Sequence, residues 1–295
     1  MKGLLLAGGH GTRLRPPPSL AFGDREVARF IYGHADDVRS GLGMRSPNRL
    51  EEIHARLYRA FGIGPFDLEL ARSALGLDGR RAKLALSGLE RAGRLVVFEG
   101  TLGDRRYRLL DPPLVAFALE NGLSLARFMS AQGAYVRLLL LFAKKILERY
   151  GDGALSIVLY GSVARGDSSR ESDLDLLLIV NGLPRSYSKR VEELVSLEMD
   201  GSILSELRLL RKEGYFPDLS YFLLTPEEAK EFRPLFLDLL TDGIPLLDRG
   251  SFFESLSRAY LERLAGLGAK KLKRGDGDWY WILKPDIEFG EEVRI

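Results

Sequence analysis

The sequence predicts an α/β (α+β) chain, with a helical domain closed by a β-hairpin and then a mixed sheet flanked by helices. Three observations carry this expectation. Residues 46–110 set apolar side chains at three- and four-residue steps and then run into two alternating stretches, "LVVFEG" and "RRYRLL", the periods of helices followed by a hairpin. Residues 156–180 hold an apolar run, "SIVLY", that stops at Gly161, then a polar loop, then a second run, "DLDLLLIV". The length of 295 residues suits two domains at roughly 150 residues each.

Composition removes several classes of function. The chain has no Cys, which excludes a disulfide framework, a thiolate zinc site and a cysteine nucleophile. Its three histidines, His10, His34 and His54, have no metal-ligand spacing. A net charge of +2 predicts no polyanion partner by itself. The longest apolar stretch, "LLLLFA", is far short of the roughly 20 residues that span a bilayer. "MKGLLLAG" is too short and too broken by glycine for a signal peptide, so no membrane association and a cytoplasmic location are expected.

In order along the chain, residues 1–45 form an N-terminal segment. Its opening, "MKGLLLAGGHGTRLRP", resembles the start of sugar-nucleotide pyrophosphorylases, in which a first strand feeds a Gly-rich loop. The resemblance would give Gly8, Gly9, Gly11, Thr12 and Arg13 to a nucleotide and would imply a sugar-phosphate nucleotidyltransferase. Such a loop needs neighbouring strands to make a pocket. Here three prolines follow at once and the next domain begins some 30 residues later, so an irregular remnant is expected.

Residues 46–111 form the helical domain. "SPNRLEEIHARLYRAFG" has a Ser-Pro start and places Leu50, Ile53, Leu57 and Phe61 on one face, which makes an amphipathic helix. "PFDLELARSALG" reads as a shorter second helix, and a third opens with Asp78 as N-cap and ends near Gly93. Three helices and a hairpin resemble a winged helix-turn-helix domain. That resemblance implies a third helix in a DNA or RNA groove and a hairpin on the backbone, with Arg80, Arg81, Lys83, Arg105, Arg106 and Arg108 neutralising phosphates. Glu90, Glu99 and Asp104 sit among these cations, and a protein partner is the other reading. Residues 112–150 read as one or two connecting helices.

Residues 151–250 carry the chemistry. Gly161 lets backbone approach a ligand closely, Ser162 adds a hydroxyl in a turn suited to phosphate oxygens, and Arg165 is a candidate phosphate clamp. Asp173 and Asp175 alternate with Leu174 and Leu176, so both carboxylates point to one face of a strand. Like charges placed together make sense around a shared divalent cation such as Mg²⁺.

"GS" followed by "DLDLLLIV" resembles the polymerase β-type nucleotidyltransferase superfamily, and especially its minimal bacterial and archaeal members, over about residues 140–250. The resemblance implies that Gly161 and Ser162 hold a triphosphate and that Asp173 and Asp175 ligate Mg²⁺. It also implies a third carboxylate on a later strand, ahead of a "Thr-Pro-Glu-Glu" helix start. Here that position is Ser220, in "FPDLSYFLLTPEEA", with Asp218 two residues earlier. Either Asp218 substitutes for the missing acid or the site lacks it. The expected function is Mg²⁺-dependent transfer of an NMP from an NTP, ATP first among them, to a hydroxyl. The alternative is a nucleic-acid-binding regulator whose transferase domain only binds nucleotide.

Further along, Lys189 and Arg190 are expected on a solvated helix face. Residues 251–295 should add a helix and a hairpin around "GDG". Trp279 and Trp281 share a face there as core cover, or as a base-stacking pair beside Lys270, Lys271, Lys273 and Arg274.

Overall fold

The computed structural model describes residues 5–8, 48–101, 103–273 and 279–288. Its elements run β1 (Leu5–Gly8), α1 (Asn48–Phe61), β2 (Phe66–Asp67), α2 (Leu68–Leu75), α3 (Gly79–Arg91), β3 (Leu95–Glu99) and β4 (Arg106–Leu109). Then come α4 (Pro112–Glu120), α5 (Leu125–Ser130), α6 (Val136–Tyr150), β5 (Ala154–Tyr160), α7 (Gly161–Arg165), β6 (Leu174–Val180), α8 (Tyr187–Glu198) and α9 (Gly201–Lys212). The chain continues through β7 (Leu219–Leu224), α10 (Pro226–Ala229), α11 (Phe236–Asp242), β8 (Ile244–Asp248), α12 (Phe252–Gly266), β9 (Lys270–Lys273) and β10 (Trp279–Ile282). Among the described residues no helix is long and apolar enough to cross a membrane.

Two compact units result. In the first, residues between 48 and 145 are joined by Glu198–Glu213. Asp67 and Asp78 cap α2 and α3 by accepting from the backbone N–H of Leu70 and Arg81, at 2.8 and 2.9 Å, which satisfies donors that a helix start otherwise leaves unpaired. The apolar faces of α1, α2 and α3 meet in a core that includes Ile53, Leu57, Leu75, Leu86 and Leu89, with Leu50 and Phe61 against its edge. The hairpin β3–β4 closes it, and the two-residue β2 adds a third strand on the far side of β4. Residues 112–150 make three helices instead of one or two, because Gly122 and Gly133 interrupt the apolar pattern.

Glu198–Glu213 lies within the stretch 151–250 yet packs with the helical unit. A buried charge cluster explains this. Glu206 and Arg108 are both fully buried, and the guanidinium donates to both carboxylate oxygens at 2.5 and 2.7 Å and to the Ile63 carbonyl at 2.6 Å. Arg137 donates to Glu206 and to Asp111 at 2.5 and 2.8 Å. Arg108 is therefore withdrawn from any phosphate, contrary to its expected role. Arg106 pairs with Glu99 and Glu213 at 2.6 and 2.7 Å but stays partly exposed.

The second unit contains the four-stranded sheet, in the order β7-β6-β5-β8. β5 is antiparallel to β6 and β8, whereas β6 and β7 are parallel. The sheet is thus mixed, with helices on its face, as expected. Val158, Leu177, Ile179 and Leu224 pack against Ala229, Phe236, Leu239, Phe253 and Tyr260 from α10, α11 and α12. Thr225 starts α10 with a capping box to Glu228, and Glu228 also takes both ends of the Arg190 guanidinium at 2.7 and 3.0 Å. Arg190 is buried, not a solvated helix-face cation, because that pair and the Pro184 carbonyl draw it inward.

A second sheet runs β1-β10-β9, antiparallel throughout. The tail hairpin is where it was expected. Leu5–Gly8, expected to be irregular, is instead a strand on β10, because an open sheet edge offers unpaired backbone groups to any extended apolar segment. Gly9, Gly11, Thr12, Arg13, His10, His34, Arg274 and the Trp279 side chain lie outside the described residues. Trp281 is buried with Leu237, Leu264 and Leu283, which rules it out as a stacking platform.

The Glu206 cluster sets a stability test. Glu206→Ala leaves two buried guanidiniums without their carboxylate and is expected to lower the stability of the helical unit by about 3–5 kcal/mol in urea unfolding. Replacing both partners, Arg108→Met with Glu206→Leu, should cost less than the single change, because no uncompensated charge is left.

Candidate active site

β5 ends where Gly161 turns the chain into α7 with φ +75°, a backbone conformation that L side chains rarely adopt. A second constraint acts on the same residue. A Cβ at Gly161 would collide with the carboxylate of Asp175, so glycine is required both for the turn and for the close approach. Ser162 follows in the first turn of α7, and its carbonyl accepts from Gly166 and Asp167 at 2.9 and 3.1 Å. These bonds fold the loop back toward the strand.

Asp173 is exposed directly ahead of β6, and Asp175 is half-buried within it. Asp175 stands opposite Tyr160 on β5 and Ser220 on β7. Neighbours across a ladder share a face, so Asp173, Asp175, Tyr160 and Ser220 all belong to the face that begins at Gly161. The Asp175 carboxyl is pushed up from the usual carboxylate range mainly by burial and further by Asp173, while a hydrogen bond from Ser220 and the charge of Arg165 oppose the shift. Residues two apart on a strand stand about 6–7 Å from each other, and two charges at that distance repel by roughly 2–3 kcal/mol at an effective dielectric of about 20. The pair is therefore unfavourable as it stands.

Among the described residues no three His, Cys, Asp or Glu side chains gather as a metal-binding group. The donor set is thus two carboxylates, which fits Mg²⁺, an ion that takes one or two protein carboxylates and fills its shell with water and substrate phosphates. Asp218 is exposed just before β7, and its carbonyl accepts from Leu174 at 2.9 Å, which runs it alongside Asp173. Ser220, at the position where an acid was expected, binds Asp175 instead.

Arg165 closes α7. Its guanidinium lies 3.2 Å from Asp167 and 3.5 Å from Asp242, so the expected phosphate clamp is held by two carboxylates. Sequence reasoning missed the second of these and its surroundings. On α11, Asp238 and Asp242 lie one turn apart, and Thr241 between them accepts from Lys271 of β9 at 3.0 Å. Burial and Asp242 push the Asp238 carboxyl up to about 6, while Lys271 and Arg165 oppose this. The Tyr160 hydroxyl, pushed up to about 12 by burial, Asp175 and Asp238, lies within electrostatic reach of both acids. The only sequence signal was an i, i+4 pair of acids inside the otherwise apolar "FLDLLTD".

The cations assigned to nucleic acid separate in the structure. Arg80, Arg81 and Lys83 are exposed at the start of α3, and Arg105 is half-buried. Arg80 and Arg81 join Arg49 and Arg56 around a cavity of about 700 Å³, shared with Glu52 and Asp78.

Comparison with known proteins bears on the site directly. Residues 141–235 match the family model described as a nucleotidyltransferase domain. Over 125 residues the chain is 31% identical to a Methanocaldococcus jannaschii protein that bears the name "Putative protein adenylyltransferase MJ1305", covering 42% of this chain and 76% of that protein. The chain belongs to the nucleotidyltransferase family. In this nucleotidyltransferase the match begins within α6 and ends just before α11, so it spans Gly161, Ser162, Asp173, Asp175, Asp218 and Ser220. Asp238, Asp242 and Lys271 lie beyond it.

Asp238 gives a pH-dependent test of this surrounding. Its folded pKa lies above the ordinary 3.8, so the folded state binds the proton more tightly, and the stability this contributes at low pH is lost as pH rises from about 4 through about 6. Asp238→Asn removes the buried charge. The variant should be more stable than the parent at pH 7.5 by on the order of 1–2 kcal/mol after solvent screening, with the gap closing below pH 4 in thermal unfolding.

Proposed function

We propose that this nucleotidyltransferase moves AMP from ATP to a hydroxyl on a protein, with Mg²⁺ as cofactor. The observation that carries the reading is the close approach of Asp175, two residues after Asp173, to the Gly161 turn that leads into Ser162. The choice of adenylyl group and protein acceptor is supported by the name of the archaeal relative.

In this reading Asp173 and Asp175 hold Mg²⁺, and Gly161 and Ser162 receive the β- and γ-phosphates. Bound there, Mg²⁺ would supply charge neutralisation for the triphosphate and for the departing pyrophosphate. The acceptor oxygen attacks the α-phosphorus and forms the new P–O bond. The bond from the α-phosphorus to the bridging oxygen of the β-phosphate breaks, and pyrophosphate carries off the electron pair. The acceptor's proton passes to Asp218, an exposed residue whose carbonyl accepts from the backbone of Leu174, next to Asp173. Ser220 holds Asp175 in place through its hydrogen bond and takes no proton.

The test uses α-labelled ATP, CTP, GTP and UTP with Mg²⁺ and protein acceptors. Label should pass to protein from ATP in preference to the others, and Asp173→Ala and Asp175→Ala should each abolish transfer. Asp218→Asn should slow transfer by roughly 100-fold, the usual worth of a general base, with Mg²⁺·ATP binding retained. Normal turnover in Asp218→Asn would remove the base assignment. Mg²⁺-dependent nucleotide binding with no transfer to any acceptor would favour the binding-only reading that Ser220 allows.

A further inference from the structure

Arg165 and Lys271 come from distant parts of the chain and meet on the last turn of α11. Asp242 lies 3.5 Å from the Arg165 guanidinium, and the residue before it, Thr241, accepts from the Lys271 ammonium at 3.0 Å. Consecutive residues of one short helix thus hold two cations side by side. α11 is fixed in place from both sides, since Phe236 and Leu239 pack into the core of the mixed sheet and Leu237 and Leu240 pack with Trp281 of β10. Lys271 lies within β9, the partner of β10 in the hairpin.

Asp167, Asp238 and Asp242 surround the two cations and offset their mutual repulsion. Burial and Arg165 both depress the Lys271 ammonium, while Asp242 and Asp238 sustain it. Arg165 closes the five-residue helix that opens with Gly161 and Ser162, and Lys271 joins it across the Thr241–Asp242 step. A triphosphate seated at Gly161 and Ser162 could take Arg165 from its 3.5 Å contact with Asp242 into a charge-assisted bond, with Lys271 at hand as the second cation.

We propose that Lys271 is a nucleotide-binding residue that clamps the β- and γ-phosphates together with Arg165, so that the C-terminal sheet forms part of the nucleotide site. This rests on the nucleotide reading of Gly161, Ser162, Asp173 and Asp175. It assigns to Lys271 a role outside the stretch matched by the family model.

The experiment is calorimetric titration of the full chain with Mg²⁺·ATP, Mg²⁺·pyrophosphate and AMP, with the melting temperature of each variant measured in parallel. Lys271→Ala should weaken Mg²⁺·ATP and Mg²⁺·pyrophosphate by on the order of 10-fold, the scale of one charge-assisted contact, and leave AMP unchanged. Lys271→Arg should restore most of the loss. Thr241→Val keeps the charge but removes its hydrogen bond and should give a smaller weakening. If Lys271→Ala lowers the melting temperature while Mg²⁺·ATP binds as in the parent, Lys271 is a strut for α11 and the proposal is overturned. Equal weakening of AMP and pyrophosphate would overturn it as well, because the effect would not be on the phosphates. Failure of the parent chain itself to bind Mg²⁺·ATP would overturn both this and the reading on which it rests.

Discussion

The site depends on one close approach, that of the Asp175 carboxylate to the backbone of Gly161. It brings the end of β5 and the start of β6 together so tightly that no side chain fits between them. The same contact sets a partly desolvated carboxylate beside a second one at Asp173, which raises the proton affinity of Asp175. Fold and chemistry meet there. The antiparallel pairing of β5 and β6, the left-handed turn at Gly161 and the raised proton affinity of Asp175 are three aspects of one arrangement. Strain and repulsion of this kind persist only where the surrounding sheet over-determines them, and the buried leucines and isoleucine of β6 do so.

Ser220 changes the character of the site. An acid opposite Asp175 would have added a third negative charge to a crowded, partly buried face. The hydroxyl instead donates to Asp175, lowering its proton affinity. In the proposed mechanism the base then lies outward, at the exposed Asp218 ahead of β7. Negative charge is also distributed differently. Asp238 and Asp242 lie on α11, a helix outside the sheet, and Asp242 pairs with Arg165 there.

The buried ion cluster of the helical unit follows other physics. Arg108 and Glu206 are 98 residues apart in the chain, and neither could be buried alone. Together with Arg137 and Asp111 they satisfy one another's hydrogen bonds, which makes the burial tolerable. Because α9 is bound into that unit, a segment of the chain between β6 and β7 belongs structurally with the helices before Ile146.

Local chemistry in the sequence was enough to determine the order strand, Gly-Ser, loop, Asp-x-Asp strand, as well as the caps at Asp78 and Thr225 and the amphipathic face of α1. Alternation, turn preference and capping act over two to four residues, so they are written where they act. Tertiary structure alone decided which charges remain available. Arg108 and Arg80 are both cations in one short domain, yet Arg108 is sealed against a carboxylate from another part of the chain and Arg80 faces solvent. Strand register brought Ser220 to Asp175, and the packing of α11 between two sheets brought Lys271 to Arg165. Such meetings depend on pairing and burial across many tens of residues, and no local pattern encodes them.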